Sequence, residues 1–229
     1  MSQTMAMVEA CTPFTPDIMR IILRPQDTIA YQAGQYLQIT LPDGAYFYSI
    51  ANAPTPEGTY ELHLRHVAGE PSAARLLTHL KPQSWVQLHL PLGACHWGCF
   101  DTTQPILFLA QGTGYAPIHA LLQQWVKTGA MQAIQLWWRV RTQDDLYMHT
   151  TLQQWQAQFP HFQYYPDVST GPITSLIQSI LRDPFMAQPG VKMVLSGPFD
   201  MVYTARDMLV RAGVPLTQLM SDAFNFEEK

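Results

Sequence analysis

Pro105-Ile-Leu-Phe-Leu-Ala110 leads directly into Gln111-Gly112-Thr113-Gly114-Tyr115-Ala116-Pro117, and this stretch decides the fold. A continuous apolar run bounded by turn residues fits a strand buried on both faces. The glycines let the backbone turn tightly, and Pro117 suits the first turn of a helix expected over 116–127. Strand, glycine loop and helix together form the unit from which parallel α/β sheets are built. Such a loop brings backbone N–H groups and the positive end of a helix dipole to a phosphate. Pro117 holds the third place of a G-x-G-x-x-G pattern, so an ordinary tight turn explains the spacing equally well.

Downstream the same grammar repeats. Strands are expected over 133–138, 162–165 and 191–195, helices over 144–158, 173–181 and 199–212, and a last strand over 216–220. Leu195-Ser196-Gly197-Pro198-Phe199 is a second strand–turn–helix junction. In an open parallel sheet such loops line the ligand crevice at the carboxyl ends of the strands. Upstream the pattern is different. Short strands over 17–24, 35–41, 47–51, 60–67 and 85–90 are separated by Pro and Gly, with one helix over 72–80 that Ser72 would cap. The fold class expected is therefore an N-terminal antiparallel β-barrel, residues 1–98, followed by a doubly wound parallel α/β domain, residues 103–229. Within the barrel, Tyr46-Phe47-Tyr48-Ser49 could stack on a planar ring while Ser49 bonds its edge. Plain barrel-core aromatics account for the same residues.

The composition narrows the function classes. The 229 residues are 47% hydrophobic and 13% charged, with 22 glutamines and a net charge of -4. An average domain carries about 25% charged residues. Without a basic surplus to neutralise phosphates, a nucleic-acid partner is not expected. Apolar and aromatic content excludes intrinsic disorder. Three cysteines cannot all pair within one chain and cannot supply four iron–sulfur ligands. No secretory signal and no membrane-length apolar run is visible, so no membrane insertion is expected and the protein reads as cytoplasmic. Cys95-His96-x-x-Cys99 lacks a partner pair at zinc spacing, and His63 and His66 would face opposite sides of a strand, so no metal is assigned. A G-x-S-x-G elbow is missing too. The eight histidines read as neutral polar surface.

Several segments, in order, resemble the ferredoxin–NADP reductase superfamily and within it the NAD(P)H–flavin reductases. They are AGQYLQITLPDG (33–44), Tyr48-Ser-Ile-Ala-Asn-Ala-Pro54, Gly69-Glu70-Pro71-Ser72, Gly112-Thr113-Gly114-Tyr115-Ala116-Pro117, Arg141-Thr142 through Asp145-Leu146-Tyr147, Ser196-Gly197-Pro198 and Ser221-Asp222-Ala223-Phe224. The resemblance implies a flavin (FAD or FMN) on the barrel, NAD(P)H on the α/β domain, and hydride transfer from nicotinamide C4 to flavin N5. It implies that Tyr48 lies against the flavin and Ser49 bonds near N5. Leu64, Arg65 and His66 would flank the ring, and Gly69 and Ser72 would face its ribityl or phosphate end. Gln111, Gly112, Thr113, Gly114 and Tyr115 would form the dinucleotide cradle, with Ser49 and Thr113 at the reacting atoms. Ser196, Gly197 and Pro198 would sit beside the nicotinamide, and Phe224 would cover the flavin. Arg139 and Arg141 would approach the adenosine ribose, or be solvated surface.

Departures from the family pattern sharpen these expectations. The family arginine three residues before Ser49 is Tyr46, and tyrosine cannot replace a bidentate guanidinium on flavin phosphate. Either flavin is held loosely, as a substrate, or another cation substitutes, with Arg65 the candidate. Gln111, Arg139 and Val140 stand where glycines are usual, and Ser196 where cysteine is. The segment 167–172 is shorter than the family loop. The leading expectation is an NAD(P)H-dependent flavin reductase acting on FMN, FAD or riboflavin. The alternatives are a FAD-retaining electron-transfer reductase serving a protein partner such as an oxygenase, and a non-catalytic flavin- or nucleotide-binding relative.

Overall fold

A computed structural model describes residues 2–66 and 71–226. The chain divides into two units, Met1–Gly98 with Ala116–Thr128, and Cys99–Tyr115 with Gly129–Lys229.

In the first unit the strands are β1 (Ser2–Thr15), β2 (Ile18–Pro25), β3 (Tyr36–Leu41), β4 (Gly44–Ser49), β5 (Tyr60–Arg65) and β6 (Trp85–Leu92), with helix α1 (Pro71–His79) between β5 and β6. They form one antiparallel sheet in the order β4-β3-β6-β1-β2-β5. Just past β4, the Ala51 N–H donates to the Glu61 carbonyl of β5 at 2.7 Å, which brings the sheet's two outer strands together into a nearly closed barrel. Alternation puts Leu37, Ile39, Leu62, Leu64, Leu88 and Leu90 inside, where Leu76 and Leu80 from the helical segment join them. β1 has no counterpart in the sequence-based expectation. Its inward residues Thr4, Ala6 and Val8 are small or polar, so the alternation is correct but faint. β4 begins at Gly44, earlier than expected, because Pro42-Asp43 alone turns the chain and Leu41 pairs directly with Gly44. α1 starts at Pro71, so Ser72 lies in its first turn and not at its cap. Val67 and Gly69 fall outside the described residues.

The second unit carries β7 (Ile106–Gln111), β8 (Ile134–Val140), β9 (Phe162–Val168), β10 (Lys192–Ser196) and β11 (Leu219–Met220), all parallel in the order β11-β10-β7-β8-β9. Helices α3 (His149–Gln158), α4 (Ile173–Arg182) and α5 (Phe199–Arg211) connect the later strands, and α2 (Tyr115–Thr128) follows β7. From β7 the chain adds β8 and β9 on one side, then returns to place β10 on the other. That reversal is the topological switch point of a doubly wound sheet. Leu107, Leu109, Met193 and Leu195 bury one sheet face against Leu176, Ile177 and Ile180 of α4 and Val202 and Leu209 of α5. α3 begins at His149, later than expected, because Asp145 accepts from the Thr142 N–H (3.2 Å) and hydroxyl (3.0 Å) and closes a separate single turn. The expected strand 216–220 shrinks to Leu219–Met220 behind a tight turn that Pro215 initiates.

Tyr60 is fully buried. Its hydroxyl accepts from the Ile29 N–H (2.9 Å) and donates to the Ile29 carbonyl (3.0 Å). Tyr60→Phe leaves both backbone groups without this partner and is expected to lower the unfolding free energy by about 1–3 kcal/mol in urea titrations, with an unchanged m-value.

Candidate functional site

β7 ends at Gln111, and Gly112–Gly114 form a single turn that opens α2 at Tyr115. Gly112 has φ +57°, the left-handed region that favours glycine. Its carbonyl accepts from the Trp138 indole N–H at 3.0 Å, and the Tyr115 ring stacks on Trp138 with centroids 4.2 Å apart. Gly114 faces the other loop at the switch point. A Cβ there would lie 2.4 Å from the Ser196 carbonyl oxygen and 2.6 Å from Gly197 backbone atoms, so only glycine lets the two loops meet. Thr113 sits between the glycines, Ser196 ends β10 beside Ala110, and Pro198 precedes α5. Two bare-backbone loops beside the start of a helix suit a pyrophosphate, so the residues present fit a dinucleotide.

The carboxyl ends of β7, β8 and β9 align Gln111, Arg139 and Asp167 in one row. Arg139 is 4% exposed, which removes the solvated-surface alternative for it. Its Nε donates to Asp167, and its Nη1 donates to the Gly171 carbonyl at 3.1 Å. Arg141 lies just beyond β8 and is exposed. Phe224 is half-buried, with the Arg206 guanidinium 5.8 Å from its ring centroid. The Tyr203 hydroxyl of α5 donates to the Ala223 carbonyl at 2.8 Å.

In the barrel unit, Tyr46, Tyr48 and Ser49 oppose Ile39, Leu37 and Tyr36. Tyr46 and Tyr48 pack partly against the core, and all three remain half-exposed. Leu64 is buried inside β5, and Arg65 and His66 at its end are half-exposed. A half-exposed aromatic beside a terminal serine fits a planar ring. The position of the family arginine fits a phosphate poorly. Tyr46 donates to Asp43 at 3.0 Å, and partial desolvation followed by that carboxylate raises the tyrosine pKa, while Arg75 of α1 acts the other way. Arg75 is a second cation on this side that sequence reasoning did not single out.

Sequence reasoning also missed the network beneath the Ser49 segment. Glu61, His63 and His119 are buried, with donor atoms all within 4.8 Å of one another. Glu61 accepts from Arg20 at 2.6 Å and pairs with His63 Nε2 at 2.9 Å. His119 Nδ1 bonds the Ala51 carbonyl at 2.9 Å, with its Nε2 3.4 Å from the Gln123 amide nitrogen. An ion there would compete with Arg20 for Glu61, so these side chains form a satisfied polar network. Burial opposes charge on Glu61, but His63 and Arg20 outweigh it and hold its pKa at about 2. Burial lowers His63 despite Glu61, and it drives His119 to about 4, aided by the neighbouring His63. These two histidines are core residues, contrary to the surface expectation. Polar residues at 119, 123 and 127, spaced by four along one face of α2, are the signal that could have found the network.

An unfolded histidine takes up its proton near pH 6.5, while folded His119 resists until about 4. Stability is therefore full above about pH 6.5 and falls as pH drops toward 4. Its loss is about 2–3 kcal/mol by the 1.36 kcal/mol per unit relation. Glu61 stays charged across that window, and His63 adds in the same direction. Urea titrations at pH 7.5 and 4.5 measure the loss, and His119→Gln is expected to flatten it. Gly114→Ala is expected to cost about 1–3 kcal/mol in thermal melts through overpacking.

Family comparisons agree with this geometry. Residues 12–97 match the oxidoreductase FAD-binding domain, and residues 108–207 match the oxidoreductase NAD-binding domain. A probable flavin reductase of Photobacterium leiognathi is 28% identical over 91% of this chain and 93% of its own length. The terephthalate 1,2-dioxygenase reductase component 1 of a Comamonas species is 33% identical over 69% of this chain. Such reductase relatives are longer, and the chain spans 48–64% of their length. A ferredoxin NADP+ reductase from Neisseria gonorrhoeae, solved with FAD and NADP, superposes with a TM-score of 0.80. It is 18% identical, and the match covers 96% of this chain and 98% of that one. Among the described residues no helix is long and apolar enough to cross a membrane. An antiparallel flavin-binding barrel joined to a doubly wound NAD-binding sheet, with matching domain families in the same order, identifies the chain as an oxidoreductase of the ferredoxin–NADP reductase superfamily that uses flavin and NAD(P)H.

Proposed function

We propose that this chain is an NAD(P)H–flavin reductase that takes its flavin as a loosely held substrate and releases it reduced. Bound together, the nicotinamide and the flavin supply the hydride chemistry themselves. The protein's part is positioning. Gly112, Thr113, Gly114 and the start of α2 hold the pyrophosphate, and Ser196, Gly197 and Pro198 border the nicotinamide. Tyr48 supports the flavin ring, Ser49 hydrogen-bonds its edge, and Arg65 and His66 line its other border, whereas Leu64, expected there, is fully buried in the barrel core and takes no part.

The observation that carries loose binding is the Tyr46–Asp43 hydrogen bond, 3.0 Å long, at the place where the family sets an arginine. A hydroxyl bound to a carboxylate offers a flavin phosphate no cation and adds like charge. Exposed Arg75 and half-exposed Arg65 are weak, solvent-screened substitutes, so the recognised part of the flavin is mainly the ring system, which riboflavin, FMN and FAD share. A second reading, an electron-transfer reductase delivering to a protein acceptor, is supported by the 33% identity to a dioxygenase reductase component.

Anaerobic bleaching of added flavin by NADH or NADPH tests the proposal. The purified protein is expected to be colourless and to reduce riboflavin and FMN with KM values within about threefold. Tyr46→Arg is expected to tighten FMN at least tenfold, about 1.4 kcal/mol, without changing riboflavin affinity. A protein that purifies yellow with one FAD per chain favours the second reading. One that oxidises neither nucleotide with any flavin is a non-catalytic relative.

A further inference from the structure

We infer that the buried Arg139–Asp167 pair makes this protein select NADH over NADPH. The inference rests on the nucleotide-binding part of the proposed function. Arg139 and Asp167 occupy adjacent places in the row that Gln111 begins, at the carboxyl ends of β8 and β9. Ligands of open parallel sheets bind outside these ends. The strand after the phosphate loop is where an acid reads the ribose 2′-hydroxyl or an arginine reads a 2′-phosphate. Sequence alone left Arg139 available for the second role.

The geometry takes that role away. Arg139 is buried with its Nε committed to Asp167 and its Nη1 to the Gly171 carbonyl at 3.1 Å. Its side chain is 5% exposed, against 26% for Asp167. What the pair shows to solvent is therefore mainly carboxylate. A ribose hydroxyl can donate to a carboxylate oxygen. A 2′-phosphate meets like charge there, and it cannot claim the guanidinium without leaving a buried charge pair broken. Arg141 is the other cation on this stretch, but it is exposed and its attraction is screened by water and salt.

Calorimetric titration of the full chain with NAD+ and NADP+, without added flavin, reads this directly. NAD+ is expected to bind at least tenfold tighter than NADP+. Asp167→Asn, checked for folding by its melt, is expected to shrink that ratio at least fivefold, and the charge-keeping Asp167→Glu to preserve the preference. If Asp167→Asn does not fold, the wild-type ratio for 5′-AMP against 2′,5′-ADP decides, with 5′-AMP expected tighter. Equal or tighter binding of the 2′-phosphorylated ligand overturns the selectivity and leaves the reductase reading standing. So does an unchanged ratio in folded Asp167→Asn. Binding of no nucleotide overturns both.

Discussion

Residues 50–53 leave the sheet while still buried, with Pro54 half-buried after them, and a buried backbone must find partners for its N–H and C=O groups. Here side chains provide most of them. The Ala51 carbonyl receives His119, the Ala53 N–H reaches Gln123 Oε1 at 2.9 Å, and the Pro54 carbonyl receives Lys127 at 2.9 Å. Those three side chains are spaced by four residues along one face of α2. From the other direction the Tyr31 hydroxyl donates to the Asn52 carbonyl at 2.9 Å, and the Asn52 side chain bonds Glu61 N–H and the Thr59 carbonyl. A segment held this way cannot slide by a residue without losing several bonds at once. Ser49, at its start, inherits that fixed position.

The Glu61 network is the charged end of the same arrangement. Buried charge is tolerated because Arg20 and His63 satisfy both carboxylate oxygens, and His119 stays neutral while it holds Ala51. In the parallel sheet the organising constraint is close approach. Gly114 and Gly197 lack the side chains that would keep the loops after β7 and β10 apart, so both reach the switch point as bare backbone. Each proposed site thus depends on a local device, hydrogen-bonded backbone behind Ser49 and open backbone at Gly114 and Gly197.

Much of this was legible in the sequence. The unbroken apolar run 105–110 and the two glycine loops already implied a parallel sheet with a ligand crevice at the carboxyl ends of its strands, because buried strands and tight turns leave strong local signals. β1 was not legible, since small and polar inward residues blur its alternation. The start of α3 was missed because one Thr142–Asp145 cap divides what reads as a continuous helical stretch. Long-range pairings were hidden as well. Nothing local announces that Arg139 meets Asp167 28 residues away, or that His63 and His119 share a buried network. Tyr46 was visible as a missing arginine, but its bond to Asp43 required the turn geometry.

The proposed reductase activity requires hydride to pass directly from NAD(P)H to a flavin on this protein. Anaerobic stopped-flow mixing of protein and FMN with NADH, followed at the flavin absorbance, tests it most directly. One flavin bleached per NADH consumed is expected, at a rate that slows when the transferred hydrogen at nicotinamide C4 is deuterium. Bleaching no faster than in protein-free solution would contradict it.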